Sequence, residues 1–156
     1  MAINPAWFAP DLYWEDLSVG AQWRTQARTI TEPDLVSWIN LTWLTEELFT
    51  NLHDRGDSAI EGRFVPDALV FAFAEALTLG AVRIKGLAFL RSEIDVRRAT
   101  FVGDTIHVES TVSALRATSK PDRATAETRN EVMNQRGEIV IAYNALRMIR
   151  RRAAAS

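Results

Sequence analysis

The stretch PDALVFAFAEALTLGAV, Pro66–Val82, decides how the rest of the chain is read. Its apolar residues run round every side instead of along one stripe, which predicts a helix buried on all faces. Ala and Leu favour helix, Asp67 stands where an N-cap belongs, and Gly80 stands where a helix tends to stop. Glu75 and Thr78 lie inside the stretch, and it is shorter than a bilayer requires, so it is a poor membrane span. Glu75 is expected to face an interface or to pair with an Arg such as Arg83. A buried helix needs a wrapper, and the half of the chain that follows has the pattern of one.

From Leu87 onward the period is two. Asp104–Ala114 sets Ile106, Val108 and Val112 against His107, Glu109 and Thr111. Arg123–Met133 alternates small or apolar residues with Glu127, Arg129 and Glu131. Asn134-Gln135-Arg136-Gly137 reads as a hairpin turn. The strand beginning at Glu138 is apolar on both faces, so it is expected to be central and covered on two sides. Short connections make these neighbours antiparallel.

Upstream, Ala21–Ile30 has strand content with imperfect alternation. Thr31-Glu32-Pro33-Asp34 starts a helix that carries Leu35, Val36, Trp38, Ile39 and Leu41. Thr45-Glu46-Glu47 can open a short helix, and Asp54–Ser58 reads as a loop. Met1–Val19 is expected to be an irregular arm packed on the body, and residues 151–156 a frayed tail. The sum is one α+β domain over residues 1–156, with a long helix wrapped by an antiparallel sheet of five or six strands.

Bulk numbers narrow the chemistry. The 156 residues suffice for one sizeable core, and a hydrophobic fraction of 47% with 24% charged residues is that of a globular protein. A net charge of −2 gives no general reason to expect nucleic acid. The chain has no Cys, which excludes disulfides, thiol catalysis and Cys-ligated metal, and its only two His argue against a His-rich metal site. The first residues lack the basic start and apolar core of a signal peptide, so a cytoplasmic protein is expected.

Four segments in order, Tyr13–Gly20 (YWEDLSVG), Arg28–Asp34 (RTITEPD), Phe101–Ile106 (FVGDTI) and Asn134–Glu138 (NQRGE), resemble the MaoC-like hydratase/dehydratase family over about Tyr13 to Arg151. The resemblance implies a hot-dog fold in which the long helix is the sausage. It further implies a dimer with acyl-thioester sites at the subunit interface, enoyl- or 3-hydroxyacyl-CoA substrates, and no metal or redox cofactor. Family chemistry uses a carboxylate and an imidazole to handle water, while a peptide N–H at the start of the central helix polarises the thioester carbonyl.

Laid on the family pattern, Leu41-Thr42 and Gly62-Arg63 match. The family's Asp falls on Leu44, its Asn-Pro on Glu46-Glu47, its His on Phe49, and its later His-Gly on Pro66-Asp67. Neither member of the acid–imidazole pair is matched in kind. Glu46, Glu47, His53, Asp54 and Asp57 occupy the same segment as solvated loop charges or as replacements, with Glu47 and His53 the catalytic candidates. Trp43, Leu44 and Phe49 either line an acyl pocket or belong to the core. The N–H groups of Asp67 and Ala68 would serve the thioester oxygen. Ser119 and Lys120, in the segment Arg116–Lys120, would meet CoA phosphates unless they are plain surface. The expected partner is an acyl-CoA or related thioester, bound by a homodimer or by a heterodimer with a MaoC-like paralogue. The alternatives are a non-catalytic partner subunit of an active hydratase and a hot-dog acyl-CoA thioesterase.

Overall fold

The computed structural model describes residues 10–53 and 60–152. The N-terminal part of the expected arm, the loop containing Asp54 and Asp57, and the last four residues of the tail lie outside the described residues. The ordered elements are a short turn of 3-10 helix at Trp14–Asp16, strands β1 (Gln22–Arg24) and β2 (Arg28–Thr29), and helices α1 (Glu32–Thr42), α2 (Glu47–Thr50) and α3 (Asp67–Ala81). Strands β3 (Gly86–Val96), β4 (Thr105–Ala117), β5 (Arg123–Met133) and β6 (Ile139–Arg150) follow.

The four long strands form an antiparallel sheet in the order β4-β5-β6-β3, with β1 and β2 both pairing on the outer side of β4. This is the hot-dog arrangement, a long helix laid in the curve of an antiparallel sheet. The expected single strand over Ala21–Ile30 is in fact two. Thr25 interrupts it by turning its hydroxyl inward to accept the N–H of Val108 at 2.9 Å, while its own N–H donates to Val108 O at 3.0 Å. That inward hydroxyl is why the alternation of the segment is imperfect.

The core lies between α3 and the concave side of the sheet. Leu69, Val70 and Ala74 of α3 meet Ile106, Val108, Val132, Ile141, Tyr143 and Ala145, and Ile30, Leu35 and Val65 close one end. Each fully buried aliphatic side chain contributes about 1.5–3 kcal/mol. Two expectations are corrected here. α3 is not buried on all faces, for the sheet covers only one side of it, and Leu79 is 65% exposed. Likewise β6 is central, yet its outer side is only partly covered, with Asn144 exposed there and Ala142, Leu146 and Met148 half-buried.

Local chemistry fixes the ends of the elements. At the start of α1 the N–H of Thr31 donates to Asp34 Oδ2 at 2.9 Å, and Arg28 holds the other oxygen at 2.7 Å. Burial takes second place for Asp34: hydrogen bonds from Thr31 and the Arg28 charge hold its carboxyl below the ordinary range. In the β5–β6 hairpin Gly137 takes φ 75°, a conformation glycine adopts at no steric cost, while Asn134 Oδ1 accepts the N–H groups of Arg136 and Glu138. No helix among the described residues is long and apolar enough to cross a membrane.

Candidate functional site at the start of α3

Two chain crossings fix where α3 begins. Val65 N–H donates to Thr100 O at 2.9 Å, and Val102 N–H donates to Arg63 O at 2.9 Å, so the residues before the helix are stitched to the loop after β3. Gly62 makes this approach possible. It sits at φ 90°, and a Cβ on it would lie 3.1 Å from the Phe101 ring. Phe64 stacks on Phe49 at 5.6 Å and meets Phe101 edge-on at 6.4 Å, which ties α2 to the same point.

Asp67 is the first residue of α3, one position later than the N-cap role expected for it. Pro66 takes the cap position, and its carbonyl accepts from Leu69 at 2.9 Å and Val70 at 3.2 Å. The Asp67 side chain therefore makes no capping bond. Its Oδ1 is inaccessible and has no hydrogen-bond partner among the described residues. Burial pushes this carboxyl above the ordinary carboxylate range, whereas the positive end of the helix favours its ionised form. The N–H groups of Asp67 and Ala68 belong to the first turn, which has no partner within the helix. A partly desolvated carboxyl thus stands beside free peptide donors.

The other candidates are more dispersed. Glu47 opens α2 and His53 follows it, both exposed, with no hydrogen bond or ion pair between them. The N–H of His53 donates to Asn51 Oδ1. Arg63 is engaged by the protein itself, pairing with Glu32 at 2.6 Å and donating to the Phe49 carbonyl, so it braces α2 and the start of α3 against α1. The same Arg63 holds the Glu32 carboxyl below its ordinary range. Phe49 is core, at 6% exposed. Trp43 is 86% exposed and adopts φ 57°, a left-handed conformation uncommon for a bulky residue. With Leu44, Ile39, Asn40, Thr45 and Thr50 it lines an open depression beside α1. Ser119 and Lys120 lie in the turn between β4 and β5, where Thr118 Oγ1 accepts the Lys120 N–H.

That turn is far from Asp67. The register pairs Val96 of β3 with Ile141 and Gly86 with Ile149, so the β3 end near α3's start is opposite the end that carries Arg123 and Arg150. Arg151 N–H donates to Asp122 O at that distant end. Within one chain, Asp67 and Lys120 therefore lie at opposite ends of the sheet. A cavity of about 440 Å³ lies elsewhere, over the polar outer face at β1, β4 and β5, and a small apolar one of about 50 Å³ lies beneath the C-terminal half of α3.

Of the expected residues, the structure brings Arg63, Phe49, Asp67 and Ala68 to one place. The sequence assigns the Asp67 side chain a capping role and its N–H a place at the thioester oxygen, but not the part of a free carboxyl. The signal was the Pro before it, which supplies the cap position and releases the acid from capping.

No protein-family model matches the chain, and no curated protein matches it by sequence. Solved structures do match in shape. A monoamine oxidase regulatory protein from Archaeoglobus superposes with a TM-score of 0.84 at 23% identity, over 93% of this chain and 99% of that one. A MaoC domain protein from Chloroflexus aurantiacus gives 0.87 at 23% identity, over 96% of this chain and 44% of that one, so the chain spans less than half its length. An R-hydratase from Pseudomonas aeruginosa, in its unliganded form, gives 0.68 at 20% identity, over 92% of each chain. At these identities the likeness establishes the hot-dog fold.

Proposed function

We propose that the chain binds an acyl thioester at the start of α3 and adds water to, or removes it from, the conjugated acyl group, with Asp67 moving the proton. The observation that carries this reading is the half-buried Asp67 carboxyl, whose Oδ1 is inaccessible and has no hydrogen-bond partner among the described residues, beside the N–H groups of the first helical turn. An apolar side chain transfers no proton, so Leu44 and Phe49 leave the acid–base work to another group. A carboxyl raised by burial has both protonation forms accessible closer to neutrality, which suits a residue that takes a proton and returns it.

In the hydration direction the thioester carbonyl accepts hydrogen bonds from the Asp67 and Ala68 N–H groups, which polarises the double bond. Ionised Asp67 takes one proton from water as the water oxygen bonds to the β-carbon. The protonated acid then delivers that proton to the α-carbon. Water is added across the bond and the thiol stays attached. The fold likeness to an R-hydratase and a MaoC domain protein supports this class.

The test is purified protein with crotonyl-CoA and longer enoyl-CoAs, following both loss of conjugated absorbance and thiol release. Bond loss without thiol is expected, with Asp67→Asn at least about 100-fold slower, the lower share of positioned acid–base catalysis. Glu47→Gln and His53→Ala are expected to stay within a few-fold. Thiol release in step with turnover would make it a thioesterase. Tight thioester binding without turnover would make it a binding subunit. An unchanged rate in Asp67→Asn would remove Asp67 from the mechanism.

A further inference from the structure

One line of side chains across the inner face of the sheet is polar. The strand register sets Trp23 of β1 opposite Ser110 of β4, and Ser110 opposite Asn130 of β5. The next inward line, Val108, Val132 and Ile141, is wholly aliphatic. Ser110 is 1% exposed and Asn130 is fully buried. Trp23 Nε1, Ser110 Oγ and Asn130 Oδ1 are all inaccessible, and none has a hydrogen-bond partner among the described residues. Folded interiors leave few such atoms, and here three fall on directly opposed residues of adjacent strands.

The orientation of the Asn130 amide is set by its other end. Its Nδ2 donates to Thr128 Oγ1 at 3.0 Å and to two carbonyls, Thr128 O at 3.2 Å and Tyr143 O at 3.4 Å. Turning the amide over would set its oxygen against both carbonyls, so the acceptor stays on the side away from them.

We infer that this line is a water-binding site, in which one water molecule bridges Trp23 Nε1, Ser110 Oγ and Asn130 Oδ1 as a fixed part of the core. The indole N–H only donates, the amide oxygen only accepts, and the hydroxyl does both. A cation would face the indole N–H unpaired, an anion would face the amide oxygen, and hydrocarbon would satisfy none of the three. Water matches the whole set, and three partners are what a buried water ordinarily takes. Opposed residues on neighbouring strands have Cβ atoms about 4.5–5.5 Å apart, which puts one small molecule within reach of all three side chains. Room lies alongside. The cavity of about 50 Å³ beneath α3 reaches Trp23 and Thr128, and exposed Leu79 at its lining opens it to solvent. One water needs roughly 10–15 Å³.

The water completes a longer chain of bonds. Thr128 Oγ1 also accepts from Arg147 at 3.2 Å, and Arg147 pairs with Glu75 of α3. Polar contacts then run from the helix through β6 and β5 to β4 and β1, and the three-residue β1 is held by its side chain as well as its ladder.

Two measurements test the site. A crystal structure at about 1.5 Å or better is expected to show a water within about 3.2 Å of all three atoms. In thermal scans at matched protein concentration, Ser110→Ala is expected to melt below the wild type, because it takes a bond from the bound water. In a dry core the same change deletes an orphaned hydroxyl and raises the melting temperature. No density at the three atoms, density for a larger molecule, or a raised melting temperature in Ser110→Ala would overturn the inference. Neither readout involves substrate, so both are independent of the role proposed for Asp67.

Discussion

Asp67 carries a conflict that a single atom exchange resolves. Its folded-state pKa lies above the unfolded value because burial penalises the charge. In the window between those two values the folded state binds more protons than the unfolded one, so stability falls as pH rises through it. Stability attached to this group is thus fully present below the unfolded pKa and lost above the folded one. Asp67→Asn keeps the shape and removes the charge. It is expected to melt higher than the wild type at pH 7, with the gain shrinking towards pH 4, in thermal scans at matched protein concentration. Lost turnover with raised stability is the signature of an acid kept for chemistry. Nearby, Gly62→Ala is expected to destabilise by about 1–3 kcal/mol in urea titrations, since φ 90° and the Phe101 ring both resist a Cβ. The position of Asp67 was legible in the chain, but the burial of its carboxyl was not, because the start of α3 meets the loop after β3 only once Val65 and Val102 make their backbone hydrogen bonds across it.

Helix α3 and strand β6 show the same division one scale up. Alternation in β4 and β5 survives into their burial, with Ile106, Val108 and Val112 or Ala124, Ala126 and Val132 turned inward. That much depends on neighbours in sequence. The partner of Glu75 does not. Arg83, expected as its mate, pairs with Asp11, and Glu75 instead accepts from Arg147 at 2.6 and 2.7 Å, with 15% and 14% of the two side chains exposed. Arg147 also donates to Thr128 Oγ1 and lies over the Phe89 ring, so it is held on three sides. Seventy-two residues separate the pair, and the packing of α3 on β6, where Phe71 meets Tyr143 edge-on at 5.1 Å, brings them together. Removing one partner strands the other charge. Glu75→Ala is expected to cost about 3 kcal/mol, while Glu75→Leu with Arg147→Met is close to neutral. Urea titrations of both at one protein concentration check this, and equal losses would show that the charges do not act as a pair.

At the scale of the whole molecule the chain start is tied to the end of the sheet by charge. Leu12 N–H donates to Arg83 O, and Lys85 N–H to Leu12 O, both at 2.8 Å. Around this short contact Asp11 meets Lys85 and Arg83, Glu15 meets Arg151, and Asp16 meets Arg152. The Lys85 hydrogen bond chiefly holds Asp11 below the ordinary range, the Arg152 N–H does so for Glu15, and the Tyr13 N–H for Asp16. Groups with depressed folded pKa values give stability above their unfolded pKa and lose it as pH falls through the folded one. These ties are surface pairs, each weak and screened by salt, whereas the sheet rests on burial that no protonation of the arm touches. Acid should therefore free the arm before it opens the sheet. Hydrogen exchange, corrected for intrinsic rates, is expected to show residues 10–17 losing protection below about pH 4, the ordinary carboxylate range, with β5 still protected. High salt at pH 7 should loosen the arm in the same direction. Simultaneous loss in the arm and β5 would mean that arm and sheet open as one cooperative unit, and that these ion pairs do not set the arm's release.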